Sequence, residues 1–377
     1  MPLSESENDN SSTLREQVEA ALSAETPITI RGGNSKAALG QAIDIDSTTV
    51  LDTRSHEGVI NYDPTELVVT VRAGTSIQAL NRTLDDAGQM LPFDPPALPG
   101  STIGGVLACA LSGPRRPFTG SARDFVLGMR VINGQAQDLS FGGEVMKNVA
   151  GYDVSRVQVG AWGTLGVLLD MSMKVLPKPE LELTLCQHSM GQGLQAFAPL
   201  MRKPLPLSGA MLIEQDRYLR LSGSEAAVRT AADSLGGDVL EDNSLWLSVR
   251  DHTHPFFSAA QKAVVERGKS LWRISVADYT PALDLEGDWL HEWAGGQRWL
   301  LTSVAADEIF RSVEAARGHA TRYSPSAADE PAFQPLAGGM RRLQTRIRDS
   351  FDPMRIFNRG RFHPELDVSP QLVASGA

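Results

Sequence analysis

The tightest constraint on this chain is where its glycines fall. Three clusters lie in the first half, each beside a run of β-type residues. The first, "PITIRGGNSKAALG", starts at Pro27, and residues 28–30 empty into Gly32, Gly33, Asn34, Ser35 and Lys36. In the second, "PALPGSTIGGVLACALSGPRRP", Thr102 is placed to cap a helix whose first turn carries Gly104 and Gly105. The third, "GGEVMKNVAGYDVSRVQVGAWGTLGVLLD", makes a sharp turn at Ala150-Gly151-Tyr152-Asp153 and enters its next strand through Gly160 to Gly166. Glycines let successive backbone N–H groups converge on an anion, and a helix start adds the positive end of its dipole. Neither the spacing of a Walker loop nor that of the Rossmann fingerprint is present. Taken singly, each loop reads as well as a tight turn or as close packing of a helix on a strand. Together the three point to a long ligand lying across backbone.

The elements between the loops follow from periodicity. "TLREQVEAALSA" carries Leu14, Val18, Ala21 and Leu22 at helical spacing, with Ser12 or Thr13 as cap. "ELVVTVRAG" reads as a strand, and "TSIQALNRTLDDAG" as a helix with Ile77, Leu80 and Leu84 inward and Gly88 as its stop. Asn133-Gly134 between two alternating runs signals a hairpin. "GVLLDMSMKVLPKP" is a further strand, closed by Pro177 and Pro179.

The texture changes after those prolines. "GAMLIEQDRYLRLSG" reads as a hairpin, "SEAAVRTAADSLGG" as a helix and "LWLSV" as a strand. A second set follows, with "SLWRISV" and "QRWLLTSVA" as strands and "ADEIFRSVEAARG" as a helix. Two such β-β-α-like units imply a ferredoxin-like α+β layer. The sequence shows no convincing repeat between them. The expected division is 1–180, 181–335 and a C-terminal helix and tail, 336–377, because 377 residues exceed what one core usually spans.

Composition narrows the functional classes. The formal net charge of −10 argues against a nucleic-acid partner, and no apolar run approaches the ~20 residues of a membrane helix. The acidic opening MPLSESENDNSS lacks the basic and apolar segments of a signal peptide. Cys109 and Cys186 have neither disulfide nor metal spacing, so a reducing, cytoplasmic setting is expected.

The stretches "TIGG" and "GSARDFVLGMRVINGQAQDLSFGGEVMKNVAGYDVSRVQVGAWGTLGVLLDMSMKVLPKP" resemble the FAD-binding domain of the vanillyl-alcohol oxidase / p-cresol methylhydroxylase (PCMH-type) family. Within it, "TPITIRGGNSKAALG", "VINYDPTELVVTVRAGT", "GQMLPFDPP", "SGPRRPFTGSARDFVLG" and the closing "FDPMRIFNRGRF" resemble the FAD-binding subunits of bacterial glycolate oxidases. The resemblance implies a two-subdomain α+β FAD-binding domain followed by a smaller ferredoxin-like domain, with FAD lying extended. It assigns Gly32, Gly33, Asn34, Ser35 and Lys36 to the first loop. Pro99, Gly100, Ser101, Thr102, Gly104 and Gly105 form the second. Ser121, Arg123 and Asp124 fall near the flavin, as do Asn148, Gly151, Tyr152 and Asp153. Gly163, Thr164 and Gly166 line the adenine or ribityl side. Several relatives attach flavin covalently through a histidine in the first loop; none stands here, so noncovalent FAD is implied. Relatives often close on N-P-G, whereas this chain reads Asn358-Arg359-Gly360.

The same resemblance implies a complex that oxidises glycolate to glyoxylate. Its partners would be a paralogous FAD-containing catalytic subunit and an iron–sulfur electron-transfer subunit, with any membrane association running through them. The alternatives are a stand-alone FAD-dependent oxidase of another 2-hydroxy acid, or a noncatalytic assembly subunit. Relatives acting on 2-hydroxy acids carry a histidine-rich metal constellation in the second domain. Of the seven histidines here, only His252 and His254 are close, as a pair that would share a face on a strand; a solvated loop is the plainer reading, and no metal site is expected. Arg115 and Arg116 are the candidate carboxylate or flavin-edge groups, against the plainer reading of solvated or paired loop arginines. Arg341, Arg342, Arg346 and Arg348 accompany Leu343 and Ile347 as a polar face over an apolar stripe, and Trp289, Trp293 and Trp299 read as core or interface anchors.

Overall fold

Five segments build the first sheet. A computed structural model describes residues 8–143, 152–188, 193–240, 242–325 and 330–367. The strands lie in the spatial order Val59–Asp63, Val68–Arg72, Val167–Lys174, Val126–Ile132 and Asp138–Gly142, all antiparallel. Val68–Arg72 is buried along its whole length because both faces are covered. One face packs on the helices Ile77–Asp86 and Ile103–Ala108, through Ile77, Leu80, Leu84, Ile103 and Val106. The other packs on the helix Ser11–Ser23 and a parallel strand pair, Ile28–Arg31 with Thr49–Asp52. Ser76 caps its helix by accepting from the Ala79 amide, as its position before the apolar run requires. The Asn133-Gly134 hairpin forms as expected, and the Asn133 side chain accepts from the amides of Gln135 and Gln137.

The second half forms one eight-stranded antiparallel sheet made of two units with the same strand order. Counted along the chain, the first unit lies 4-1-3-2 and the second 2-3-1-4, the ferredoxin-like order in reverse. They join edge to edge at their second strands, Leu207–Ile213 and Asp288–Glu292, with Leu212 opposite His291. The helices Glu225–Leu235 and Ala306–Ala315 cover the units, and Pro255–Arg267 packs against Met211, Trp299 and Leu301. The structural repeat leaves no trace in sequence because each unit fills its core with different side chains.

Three local expectations fail. Residues 245–249, read as a strand, are helical within Ser244–Arg250: Trp246 and Val249 point inward at i and i+3, and the Trp246 indole donates to Thr184. The first helix begins at Ser11 with Asn10 at its N-cap, ahead of the expected cap at Ser12 or Thr13. Asn10 is pinned there, its amide donating to His56 Nδ1 and its side chain to the Ser55 carbonyl. The helix Gly338–Phe351 does not lie on an apolar stripe: Leu343 is 53% exposed, and its one buried residue is Arg348, which pairs with Asp367 at 2.6 Å.

After that helix the chain returns to the first half. The Ile28 amide donates to the Ile356 carbonyl at 2.6 Å, and the Asn358 amide donates to the Ile28 carbonyl at 2.8 Å. The two halves also meet through buried charge. Asp94 pairs with Arg220 at 3.2 Å and Arg250 at 3.5 Å, and Arg115 pairs with Glu182.

Candidate flavin site and its cationic extension

The loop after Ile28–Arg31 and the start of the helix Ile103–Ala108 face each other across a cavity of about 140 Å³. Gly32, Gly33, Asn34, Ser35 and Lys36 line one wall, and Thr102, Gly104 and Gly105 line the opposite one. The walls approach to backbone contact. A Cβ on Gly33 would fall 1.6 Å from the Gly100 carbonyl oxygen, and one on Gly104 would fall 2.8 Å from Ala73 Cβ. Asn34 adopts φ +57°, a left-handed turn that asparagine tolerates. Thr102 caps the helix start by accepting from the Gly105 amide at 3.3 Å.

Lys36 is the charged group at this wall, and it is buried. Its Nζ donates to Ser101 Oγ at 2.7 Å and to Ser35 Oγ at 3.0 Å. Neither partner is an anion, and burial pushes the ammonium below its usual range. A buried cation facing glycine backbone suits a phosphate, so the residues fit the pyrophosphate of a dinucleotide.

Gly163 and Gly166 line the same cavity, and the C-terminal return adds Asn358 and Arg361. Asn358 holds three segments together: its Oδ1 accepts from the Ile30 amide at 2.8 Å, and its Nδ2 donates to the Trp162 carbonyl at 2.7 Å. Arg361 donates to the Lys36 and Ala37 carbonyls, fixing the loop from outside. In the sequence, both are signalled solely by the resemblance of the closing stretch, residues 351–362.

Cys109 and Trp162 line this cavity and a second one of about 530 Å³, which runs between the two halves of the chain. Arg116, Ser121 and Arg123 line it from the first half, and Arg273, Trp293 and His319 from the second. Arg116 stacks on the Trp293 ring at 4.5 Å and Arg273 at 5.4 Å. Burial lowers the pKa of both guanidiniums and of His319.

Other candidates sit elsewhere. Arg115 is buried in its pair with Glu182 and lines neither cavity, which leaves Arg116 as the arginine facing open space. Asp124 caps Ser121, accepting from its amide and hydroxyl. Thr164 is buried and donates to the Ala161 carbonyl, a local turn contact. Pro99 lines a separate apolar groove beside Pro255–Arg267, and Gly100 and Ser101 act through Gly33 and Lys36. Tyr152 is 94% exposed and Asp153 bonds Arg156; neither lines a described cavity. Asn148 and Gly151 lie outside the described residues.

The histidine pair diverges. His254 caps the helix Pro255–Arg267, its Nδ1 accepting from the Phe256 amide, while His252 packs among Phe257, Trp299 and Tyr323. The segment is a turn between helices, so the strand geometry that would align two ligands does not arise. One mixed donor group does occur: Cys186, His188 and Asp216 bring ligand atoms within 4.8 Å of one another at the end of the second sheet. Cys186 and His188 stand two apart at the end of one strand, and Asp216 joins them from the neighbouring strand, a contact among the described residues that sequence spacing does not reveal. No described helix is long and apolar enough to cross a membrane.

Comparison with known proteins agrees with this geometry. The FAD binding domain family matches residues 7–142. The chain is 44% identical over 362 residues to the glycolate oxidase subunit GlcE of Escherichia coli, covering 96% of this chain and 99% of that one. It is 33% identical over 159 residues to the glycolate oxidase subunit GlcD of Bacillus subtilis, over 42% of this chain and 34% of the relative. An alkyldihydroxyacetonephosphate synthase structure superposes with a TM-score of 0.65 at 13% identity, covering 93% of this chain and 75% of that one, a likeness of fold. Full-length identity at this level, on a fold whose glycine loops meet across an anion-suited cavity, places the chain among the FAD-binding, GlcE-type subunits of glycolate oxidases.

Proposed function

We propose that this chain is the FAD-binding subunit of a complex oxidising glycolate to glyoxylate, with electrons passing onward to an iron–sulfur subunit. The observation that carries the reading is the 44% identity to a glycolate oxidase subunit along essentially the whole of both chains. The two adjoining cavities support it, because a phosphate-suited cradle opens into a larger space between the halves. Gly32, Gly33 and Lys36 would hold the pyrophosphate, with Gly104 and Gly105 on the facing helix start. Bound FAD would supply the acceptor for the hydride leaving the hydroxyl-bearing carbon. The chain's own part is to orient that cofactor and exclude water around it: Leu111, Trp162, Phe333 and Phe362 line the larger cavity with apolar surface. The first loop offers no histidine, which supports noncovalent attachment.

No cysteine array for an iron–sulfur cluster exists in 377 residues with two cysteines, so onward transfer requires a separate subunit. A paralogous flavoprotein is the second expected partner, and a cytoplasmic setting follows from the same reading. Co-purification tests all of this. The tagged full-length chain should carry a flavin spectrum near 450 nm and retain a second flavoprotein and an iron–sulfur protein. Glycolate should bleach the flavin in the assembled complex. A colourless chain that takes up no FAD would overturn the assignment.

A further inference from the structure

The larger cavity has a charge pattern that the cofactor reading leaves unused. Arg116, Arg123, Arg273 and Arg322 line it together with His319 and His363, and no carboxylate is among its described lining residues. Arg322 is satisfied by Glu330. Arg273 is not: its Nε donates to the neutral Gln297 amide at 2.6 Å, and its two terminal nitrogens have no acceptor among the described residues. Arg116 lies over the Trp293 ring, with no ion pair among the described residues. The nearest acids are already engaged. Asp124 is held by Ser121, and Glu292 accepts from Gln297 and from the Trp299 indole, with burial pushing its carboxyl up towards the neutral form.

Two guanidiniums on one indole ring, one from each half of the chain, repel each other unless an anion joins them. Planar guanidinium forks match a carboxylate's two oxygens. Leu111 and Trp162 add apolar surface to the same cavity. We propose that Arg116 and Arg273, meeting over Trp293, form a binding site for a small carboxylate within this subunit's own cleft. This inference rests on the flavoprotein reading and deepens it: the chain holds a substrate-type acid itself and does not only relay electrons.

Calorimetric titration of the purified, FAD-loaded full chain with oxalate tests it, because oxalate is a two-carbon acid without an oxidisable hydroxyl. One oxalate should bind per chain, and neutral glycolamide should not. Arg116→Gln and Arg273→Gln should each weaken oxalate at least ten-fold while FAD content stays that of the parent. Arg116 is half-buried at the start of the short helix Arg116–Thr119, so its variant remains decisive if Arg273→Gln fails to fold. A chain that holds FAD but takes up no oxalate, or takes up glycolamide equally, would overturn the proposal and leave the flavin assignment standing. So would variants that lose FAD while oxalate binding persists, since the arginines would then serve the cofactor. Should the chain take up no FAD, the flavin reading fails, while oxalate heats on the same chain still decide this one.

Discussion

The carbonyl oxygen of Gly100 lies 1.6 Å from the point where a Cβ on Gly33 would fall. Two glycine loops separated in the chain by the helix Ile77–Asp86 and several strands are thus in backbone contact, and that contact sets the width of the cradle. Neither position has a flexible side chain that could yield. Gly33→Ala must therefore push the loops apart. We expect FAD affinity to fall about ten-fold or more, the equivalent of ~1.4 kcal/mol per decade. Retention of FAD through gel filtration at the parent level would show that the loops do not hold it.

Asn358 is the second such junction, because one amide satisfies the Ile30 amide and the Trp162 carbonyl at once. Asn358→Ala leaves both backbone groups without that partner, and it also loses asparagine's tolerance for φ +42°. We expect a loss of about 2–4 kcal/mol in urea unfolding, since each stranded group costs ~1–3 kcal/mol. Asn358→Gly should show the hydrogen-bond loss without the backbone strain, and a smaller effect of alanine than of glycine would refute this account.

What the sequence made legible divides along physical lines. Glycine loops, capped helices and the Asn133-Gly134 hairpin are local, and the chain wrote them plainly. The segment at residues 245–249 misled because five mostly apolar residues fit a buried strand as well as a helical turn, and the inward reach of Trp246 to Thr184 decides between them. The two β-β-α-like units were legible, but their shared strand order left no sequence repeat because hydrogen-bond topology repeats without repeating side chains. Asn358, Arg361 and Arg273 reach the cavities from far along the chain, a juxtaposition that no local pattern encodes.

Asp94 joins the halves. Burial works against its charge, but Arg220 and Arg250 together hold the carboxyl below its usual range. Asp94→Asn removes the anion and leaves Arg220 buried beside Arg115, itself paired with Glu182. Breaking a buried pair from one side costs about 3–5 kcal/mol. A lower melting temperature is expected, with the halves losing protection together in hydrogen exchange along residues 216–223 and 92–96. A stability change within 1 kcal/mol, roughly the worth of an exposed pair, would place Asp94 in solvent.

His252 gives the fold an acid limit. Burial among Phe257, Trp299 and Tyr323 drops its pKa to about 4, and burial of His291 does the same. Above pH ~6.5 both folded and unfolded states are neutral at these sites, so neither histidine affects stability. As pH falls from there, the unfolded chain binds protons that the folded one refuses. Stability therefore declines down to about pH 4, by up to ~3 kcal/mol per histidine. Melting temperatures measured across that interval should fall for the parent and fall less for His252→Asn. Parallel curves would mean that His252 protonates freely in the fold.

Lys36 separates binding from stability. Burial lowers its pKa from 10.5, so between the folded value and 10.5 the unfolded state carries more protons, and the apoprotein should gain stability as pH rises. The proposed phosphate contact needs the opposite, a charged ammonium, so FAD should weaken over the same alkaline interval. Lys36→Met removes the cation while keeping the bulk of its stem. Among the described residues its polar partners are the hydroxyls of Ser35 and Ser101, which rotate to other acceptors or water at small cost. The variant should lose FAD affinity about ten-fold or more, as charge-assisted contacts to phosphate do, with an apoprotein that melts no lower than the parent. Differential scanning fluorimetry with and without FAD reads both quantities. An apoprotein that melts lower while FAD still shifts the transition fully would make Lys36 a structural residue, not a phosphate ligand.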